Sequence, residues 1–285
     1  MSFPGNAPIL ESRLRTRRGL RFPRPQQGAP PGERRVAVAA VVVFAIASAI
    51  TLFFVDTMSA GMRMPGDWTM SMMWMTMPGQ GTLAAAAMFL FMWIAMMVAM
   101  MLPSALPVLL VYRRVILFRG ELRLGLRTSL VGGGYFTVWT AFGIVAYGIG
   151  LAIARSAMVS ELASRLVPFA AGIAVMVAGT WQLTPWKFAC LRHCRDPLHL
   201  LARDLGGGPR GAFAFGVHHG AYCVGCCWGL MLMLLVIGTM NLMAMILAAT
   251  VIAAEKLLVR GEAIARGVGI TAIGAGVWLA ARSLL

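Results

Sequence analysis

The stretch 211–258 carries 48 residues of nearly unbroken apolar sequence, roughly 72 Å if helical, more than twice the ~30 Å hydrocarbon core of a bilayer. It cannot be one membrane crossing, and a water-soluble core has no place for it. Gly238-Thr239-Met240-Asn241 is the natural place for it to turn back. Further apolar runs cover 36–55, 82–111, 129–154, 166–183 and 266–284. Only 12% of residues are charged, about half of what a soluble domain carries, and mean hydropathy is +0.79. The runs are too continuous for the alternation of a β-barrel. They predict an all-α, polytopic transmembrane helical bundle of about seven helices with its N-terminus in the cytoplasm. Orientation follows from the basic residues. Seven helices place 21 of the 25 Lys and Arg on the inner side. The six-helix alternative, with 184–227 as a cytoplasmic loop, places 19 there. Lys256, Arg260 and Arg266 decide between them.

Residues 1–35 stand apart from the helical domain, 36–285. They carry eight arginines and six prolines with little apolar periodicity, which predicts a disordered cytoplasmic tail beside anionic lipid headgroups. No nucleic-acid-binding motif accompanies these arginines, so the formal charge of +15 points to a lipid bilayer and not to nucleic acid. The first apolar run is too long for the core of a cleaved signal peptide.

Soft ligands are concentrated in two places. All five cysteines and all four histidines lie between Cys190 and Cys227, and 14 of 22 methionines lie between Met58 and Met101. Thiolate, imidazole and thioether together favour Cu(I) or a similar soft ion over Mg²⁺ or Ca²⁺. An odd cysteine number at tight spacing argues against an extracellular disulfide framework. In the seven-helix topology the loop 56–81 faces outward. Its methionines, Met72 and Met75 among them, need no deprotonation to hold a soft ion, although methionine also fills gaps and Trp68 and Trp74 are plain interfacial anchors. On the next helix Met88, Met92, Met96 and Met100 recur every fourth residue, a stripe that packing alone also produces. Pro103 and Pro107 follow it and free carbonyls near Leu102–Ser104. Gly132-Gly133-Gly134 and Gly143 mark close helix packing.

Cys190-Leu191-Arg192-His193-Cys194 places two sulfurs on one helical face at a cytoplasmic rim, where Lys187, Arg192 and Arg195 favour thiolate. The strongest motif is His218-His219-Gly220-Ala221-Tyr222-Cys223-Val224-Gly225-Cys226-Cys227-Trp228. On a helix, His219, Cys223 and Cys227 fall at i, i+4 and i+8, and Cys226 flanks them. Cysteine packs readily in apolar surroundings, but adjacent histidines inside a membrane helix are usually functional. The topology separates the two motifs, so two sites along one path are expected: Cys190, His193, Cys194 and His199 at the rim, and Cys223, Cys226 and Cys227 within the membrane. Glu255-Lys256 reads first as an interfacial charge anchor and second as an ion relay.

These residues resemble an uncharacterised bacterial family of predicted metal-binding integral membrane proteins, the domain of unknown function 2182. The resemblance rests on Met96-Met97…Met100-Met101-Leu102-Pro103-Ser104 with Pro107, Gly134-Tyr135…Trp139, Gln182-Leu183-Thr184-Pro185…Lys187…Cys190-Leu191…Cys194, Gly220…Tyr222-Cys223-Val224-Gly225-Cys226-Cys227-Trp228, Gly238…Met240-Asn241 and Glu255-Lys256. It implies a polytopic inner-membrane protein with a metal ion, and no reaction.

Three functions follow. A soft-metal protein, with copper as the first choice, acts in transport, delivery or sensing, and a metallochaperone or partner membrane complex would exchange the ion. A membrane thiol–disulfide oxidoreductase would use Cys223 and Cys226, although a second outward cysteine pair to pass electrons onward is missing. A non-catalytic assembly factor would serve a partner complex. The chain carries no nucleophile triad, P-loop or dinucleotide fingerprint. Enzyme activity is therefore required only by the second reading.

Overall fold

A computed structural model describes residues 32–58, 60–75, 79, 81–120, 123–196 and 207–284. The tail expected at 1–35 lies outside these up to residue 31, as do Met77 and His199. Among the described residues the fold is all-α apart from one small hairpin. The eight helices are α1 (Glu33–Met58), α2 (Thr82–Phe118), α3 (Leu124–Val159), α4 (Glu161–Gln182), α5 (Pro185–Arg195), α6 (Gly208–Ile237), α7 (Leu242–Leu257) and α8 (Gly261–Arg282). Six of them, all but α5 and α7, are long and apolar enough to cross a membrane, which is compatible with a multi-pass membrane protein. Their outward faces leave Val41, Phe53, Ile149 and Leu166 exposed.

The long apolar stretch divides where its sequence predicts. Gly238 ends α6 at φ +113°, in the left-handed region open to glycine, and Asn241 then accepts from Ala244 N–H at 3.0 Å to cap α7. α7 has 16 residues, about 24 Å, short of a full bilayer core. Six spans, not about seven, meet the length and apolarity of a crossing, the number of the six-helix alternative, but they are not its six: 208–227, expected there as loop, lies within α6. α2 runs unbroken through Pro103 and Pro107.

Two close helix pairs set the frame. α3 and α6 approach through Gly134, Gly216 and Gly220; a side chain at Gly216 would strike the Val131 carbonyl. α4 and α8 approach through Gly172 and Gly179 on one helix and Gly269 and Gly276 on the other. Of the glycines expected to pack on α3, Gly143 faces the Trp93 indole, whereas Gly132 and Gly133 meet open space. Near the start of α1, Glu33 accepts two bonds from Arg114, of 2.5 and 3.1 Å, fastening α1 to α2.

The loop before α2 is more ordered than its composition predicts. β1 (Gly61–Met64) pairs antiparallel with β2 (Trp68–Ser71), and Gly66 (φ +98°) and Asp67 (φ +56°) make the tight turn. Trp68 Nε1 donates to the Ser164 carbonyl at 3.0 Å, and Ser164 Oγ donates to the Pro65 carbonyl at 2.8 Å. These bonds pin the hairpin to the start of α4.

Candidate metal centre

Cys223, Cys226 and Cys227 lie one helical turn apart on the face of α6 that turns inward, and all three are buried. Their sulfurs all lie within 4.8 Å of one another. Cys226 and Cys227 Sγ are 3.3 Å apart, and Cys226 Sγ points back to the Cys223 carbonyl at 3.2 Å. A metal–sulfur bond of about 2.3 Å, as for zinc, sets the sulfurs of a trigonal site about 4 Å apart. The set fits a single soft ion after the closest pair, 3.3 Å apart, opens by about 0.7 Å. Among the described residues no other group of three His, Cys, Asp or Glu brings its ligand atoms this close.

The rim cysteines are not a separate site. Thr184 caps α5 by accepting from Lys187 N–H at 3.2 Å, with Pro185 in the first turn, so the chain reverses at once after α4. α5 then folds back against α6 and delivers Cys194 Sγ to 3.8 Å from Cys226 Sγ. Cys190, one turn earlier, is half-buried against Gly225. The two motifs, expected to lie apart, therefore meet where Cys194 adjoins Cys226. The expectation of a rim thiolate at Cys190 also reverses: burial pushes its thiol up, and Lys187 opposes this only in part.

The return of α5 is explained by buried charge. Lys187 is fully buried, donates to the Cys226 carbonyl, and pairs with Glu255 at 2.6 Å. Gln182 Nε2 adds a bond of 3.1 Å to the same carboxylate. Trp181 Nε1 donates to the Gly225 carbonyl at 3.0 Å, fixing a second point on the cysteine turn.

Glu255-Lys256 is thus not an interfacial anchor. Both side chains point into the bundle, 1% and 8% exposed. Lys256 Nζ lies 2.8 Å from Cys223 Sγ and 3.4 Å from Ser104 Oγ. The Tyr135 hydroxyl lies 2.9 Å from the same sulfur. An ammonium and a hydroxyl on one buried sulfur offset the charge of a thiolate.

The methionines divide. Met92, Met96, Met97, Met100 and Met101 are buried and share one continuous core with Met73, Cys194, Cys223, Cys226 and Cys227. Met88 lies on the outside of α2, 43% exposed, so the stripe enters the core only from Met92 onward. Met73 closes the outer end, where Thr239 Oγ1 donates to its sulfur at 2.7 Å. Met75 packs instead with Met64 and the buried Met70 against Ala154 and Ala157, and Met72 is half-buried beside it.

The histidines separate as well. His193 stacks on Tyr222 at 3.6 Å between ring centroids, and His218 lies 5.5 Å from His193. Both lie against Tyr222 on α6. His219 is buried on the cysteine face, between Tyr135 at 5.7 Å and Phe215 at 6.5 Å. It stands one turn beyond Cys223 and outside the three-sulfur group.

Local pattern did not reveal Tyr135, Gln182 or the inward aim of Lys187 and Lys256. Their one signal is a charge or hydroxyl amid apolar helix, which in a membrane asks for a buried partner.

No curated protein sequence and no solved structure matches the chain. Residues 90–279 match the family described as PpoB2, copper chaperone. This is a metal-binding family, as the resemblance implied, but it is not the domain of unknown function 2182. The match takes in the Met stripe of α2 from Met92 onward, both cysteine motifs and Lys256. The chain belongs to this copper chaperone family.

Proposed function

We propose that the protein is a multi-pass bacterial inner-membrane chaperone that carries Cu(I) as cargo. Cys223, Cys226 and Cys227 hold the ion, Cys194 is the adjoining fourth sulfur, and Lys256 offsets the thiolate charge. The observation that carries the reading is the continuity of one buried core, from Met73 through Met92, Met96, Met97, Met100 and Met101 to four cysteine sulfurs. Thioether and thiolate donors in sequence suit a soft monovalent ion that must move between sites and not be trapped.

In this reading the bundle crosses the membrane with seven helices, α7 included, and its N-terminus inside. The basic segment before α1 meets anionic headgroups, and Cys190, His193 and His218 lie toward the cytoplasmic end. The ion enters beside Met73 and leaves to a metallochaperone or a partner membrane complex. Met96 and Met100 belong to the route; Met72 and Met75 flank its mouth. Thiol–disulfide exchange needs a partner thiolate to reach the sulfur, and the three α6 thiols are at most 1% exposed, which favours the metal reading.

Elemental analysis of detergent-purified protein tests this. Near-stoichiometric copper is expected in the wild type and none in a Cys223→Ser, Cys226→Ser, Cys227→Ser variant. Stoichiometric zinc would reassign the cargo, and absence of metal from freshly reduced, Cu(I)-loaded protein would overturn the proposal.

A further inference from the structure

His219 is a buried imidazole, 4% exposed, whose Nδ1 has no hydrogen-bonding partner. A buried polar atom left without a hydrogen bond is destabilising, so its presence here needs a cause. Packing alone would be served by phenylalanine, which already stands one turn earlier as Phe215.

Three observations bear on that cause. His219 shares the inward face of α6 with Cys223 and Cys227, about 6 Å along the axis from Cys223. Its ring stacks on Tyr135, whose hydroxyl contacts Cys223 Sγ, so one aromatic side chain touches both donors. The ring also borders a small cavity between α2, α3 and α6, walled by Ala105, Val108, Val131 and Phe136. Ala105, which lines it, lies one turn beyond Met101 on α2 and belongs to the same core as the methionines and cysteines.

We propose that His219 Nδ1 is a second copper ligand, which takes the ion from the cysteine group on its way toward the cytoplasmic end. The inference rests on the copper reading given above. The step is a ligand exchange: a Cu(I)–sulfur bond to Cys227 breaks, a Cu(I)–nitrogen bond to His219 forms, and Cys223 holds the ion throughout. Copper stays monovalent and no electron moves. The released sulfur keeps its electron pair, and the Lys256 ammonium remains beside the group. Neutral imidazole is a good Cu(I) donor and needs no proton removed from the nitrogen that binds. The cavity walls named above are apolar and offer the ion no competing ligand.

The test uses the full chain loaded with Cu(I) in detergent. His219→Phe keeps the aromatic packing and removes the donor. Wild-type copper content is expected, with transfer to the water-soluble chelator bathocuproine disulfonate slowed at least about ten-fold, the scale on which metal sites respond to loss of a supporting group. X-ray absorption of Cu(I)-loaded Cys227→Ser should show one nitrogen neighbour, lost in Cys227→Ser, His219→Phe. An unchanged transfer rate, or sulfur neighbours alone in Cys227→Ser, would overturn the inference. Should His219→Phe fail to fold, the Cys227→Ser spectrum still decides. A wild type that binds no copper would instead bring down the copper reading itself, a different result from either.

Discussion

Replacing Lys187 by methionine removes a charge from a pair that water does not reach. Its partner carboxylate on Glu255 is 2.6 Å away, with the two side chains 0% and 1% exposed. At an effective dielectric near 20 the lost Coulomb attraction is about 6 kcal/mol, but most of that offsets the desolvation of the two ions. The net cost comes from stranding Glu255, which keeps only the Gln182 bond of 3.1 Å, and is about 3–5 kcal/mol. The second change, Glu255→Leu in the same chain, removes the stranded charge and should recover most of that loss. Reversible unfolding in mixed micelles, followed by circular dichroism for the two single variants and the double, measures the coupling. A structural signature accompanies it. Cys194 and Cys226 sulfurs stand 3.8 Å apart because α5 is held down, so mild oxidation should form their disulfide in wild type and much less in Lys187→Met. If Lys187→Met costs under about 1 kcal/mol and the disulfide yield is unchanged, the ion pair is not what returns α5 to the bundle.

Two further perturbations address other parts of the molecule. With the other four cysteines replaced by serine, alkylation of Cys190 should reach half its maximal rate at a pH above the ~8.5 of a free thiol. The sign follows from burial, which disfavours the thiolate more than Lys187 favours it; a midpoint at or below 8.5 would refute that balance. Gly179→Val should lower stability by about 1–3 kcal/mol, since even a Cβ there would stand 2.8 Å from the Gly269 carbonyl, whereas Gly133→Val, which faces open space, should stay within about 0.5 kcal/mol. Equal effects in the same unfolding assay would count against the α4–α8 contact.

Much of the helical frame was legible because its signals are local. The turn at Gly238 and the cap at Asn241 are single-residue effects, and the cysteine face of α6 follows from spacing by four. The union of the two cysteine motifs was not legible. It depends on Lys187 finding Glu255, 68 residues away, and no periodicity encodes such a pairing. The same holds for Tyr135, which reads as one more aromatic on α3 until α6 brings Cys223 to its hydroxyl, 88 residues further on. Glu255-Lys256 was misread because a charge pair at the end of an apolar run has the same sequence whether it faces headgroups or the core. The hairpin was hidden by its methionines, which suggest a loop, while Gly66 and Asp67 carry the turn.

The bond from Thr239 to Met73 bears on which ions are admitted. A thioether sulfur that already accepts a hydroxyl proton at 2.7 Å gives up that contact before it binds anything else. A hard, strongly hydrated cation gains too little from sulfur to repay both its own shed water and the freed hydroxyl. A polarisable ion gains enough. Discrimination would then begin at the mouth of the core, as a competition between hydrogen and metal for one lone pair, before the cargo meets any cysteine.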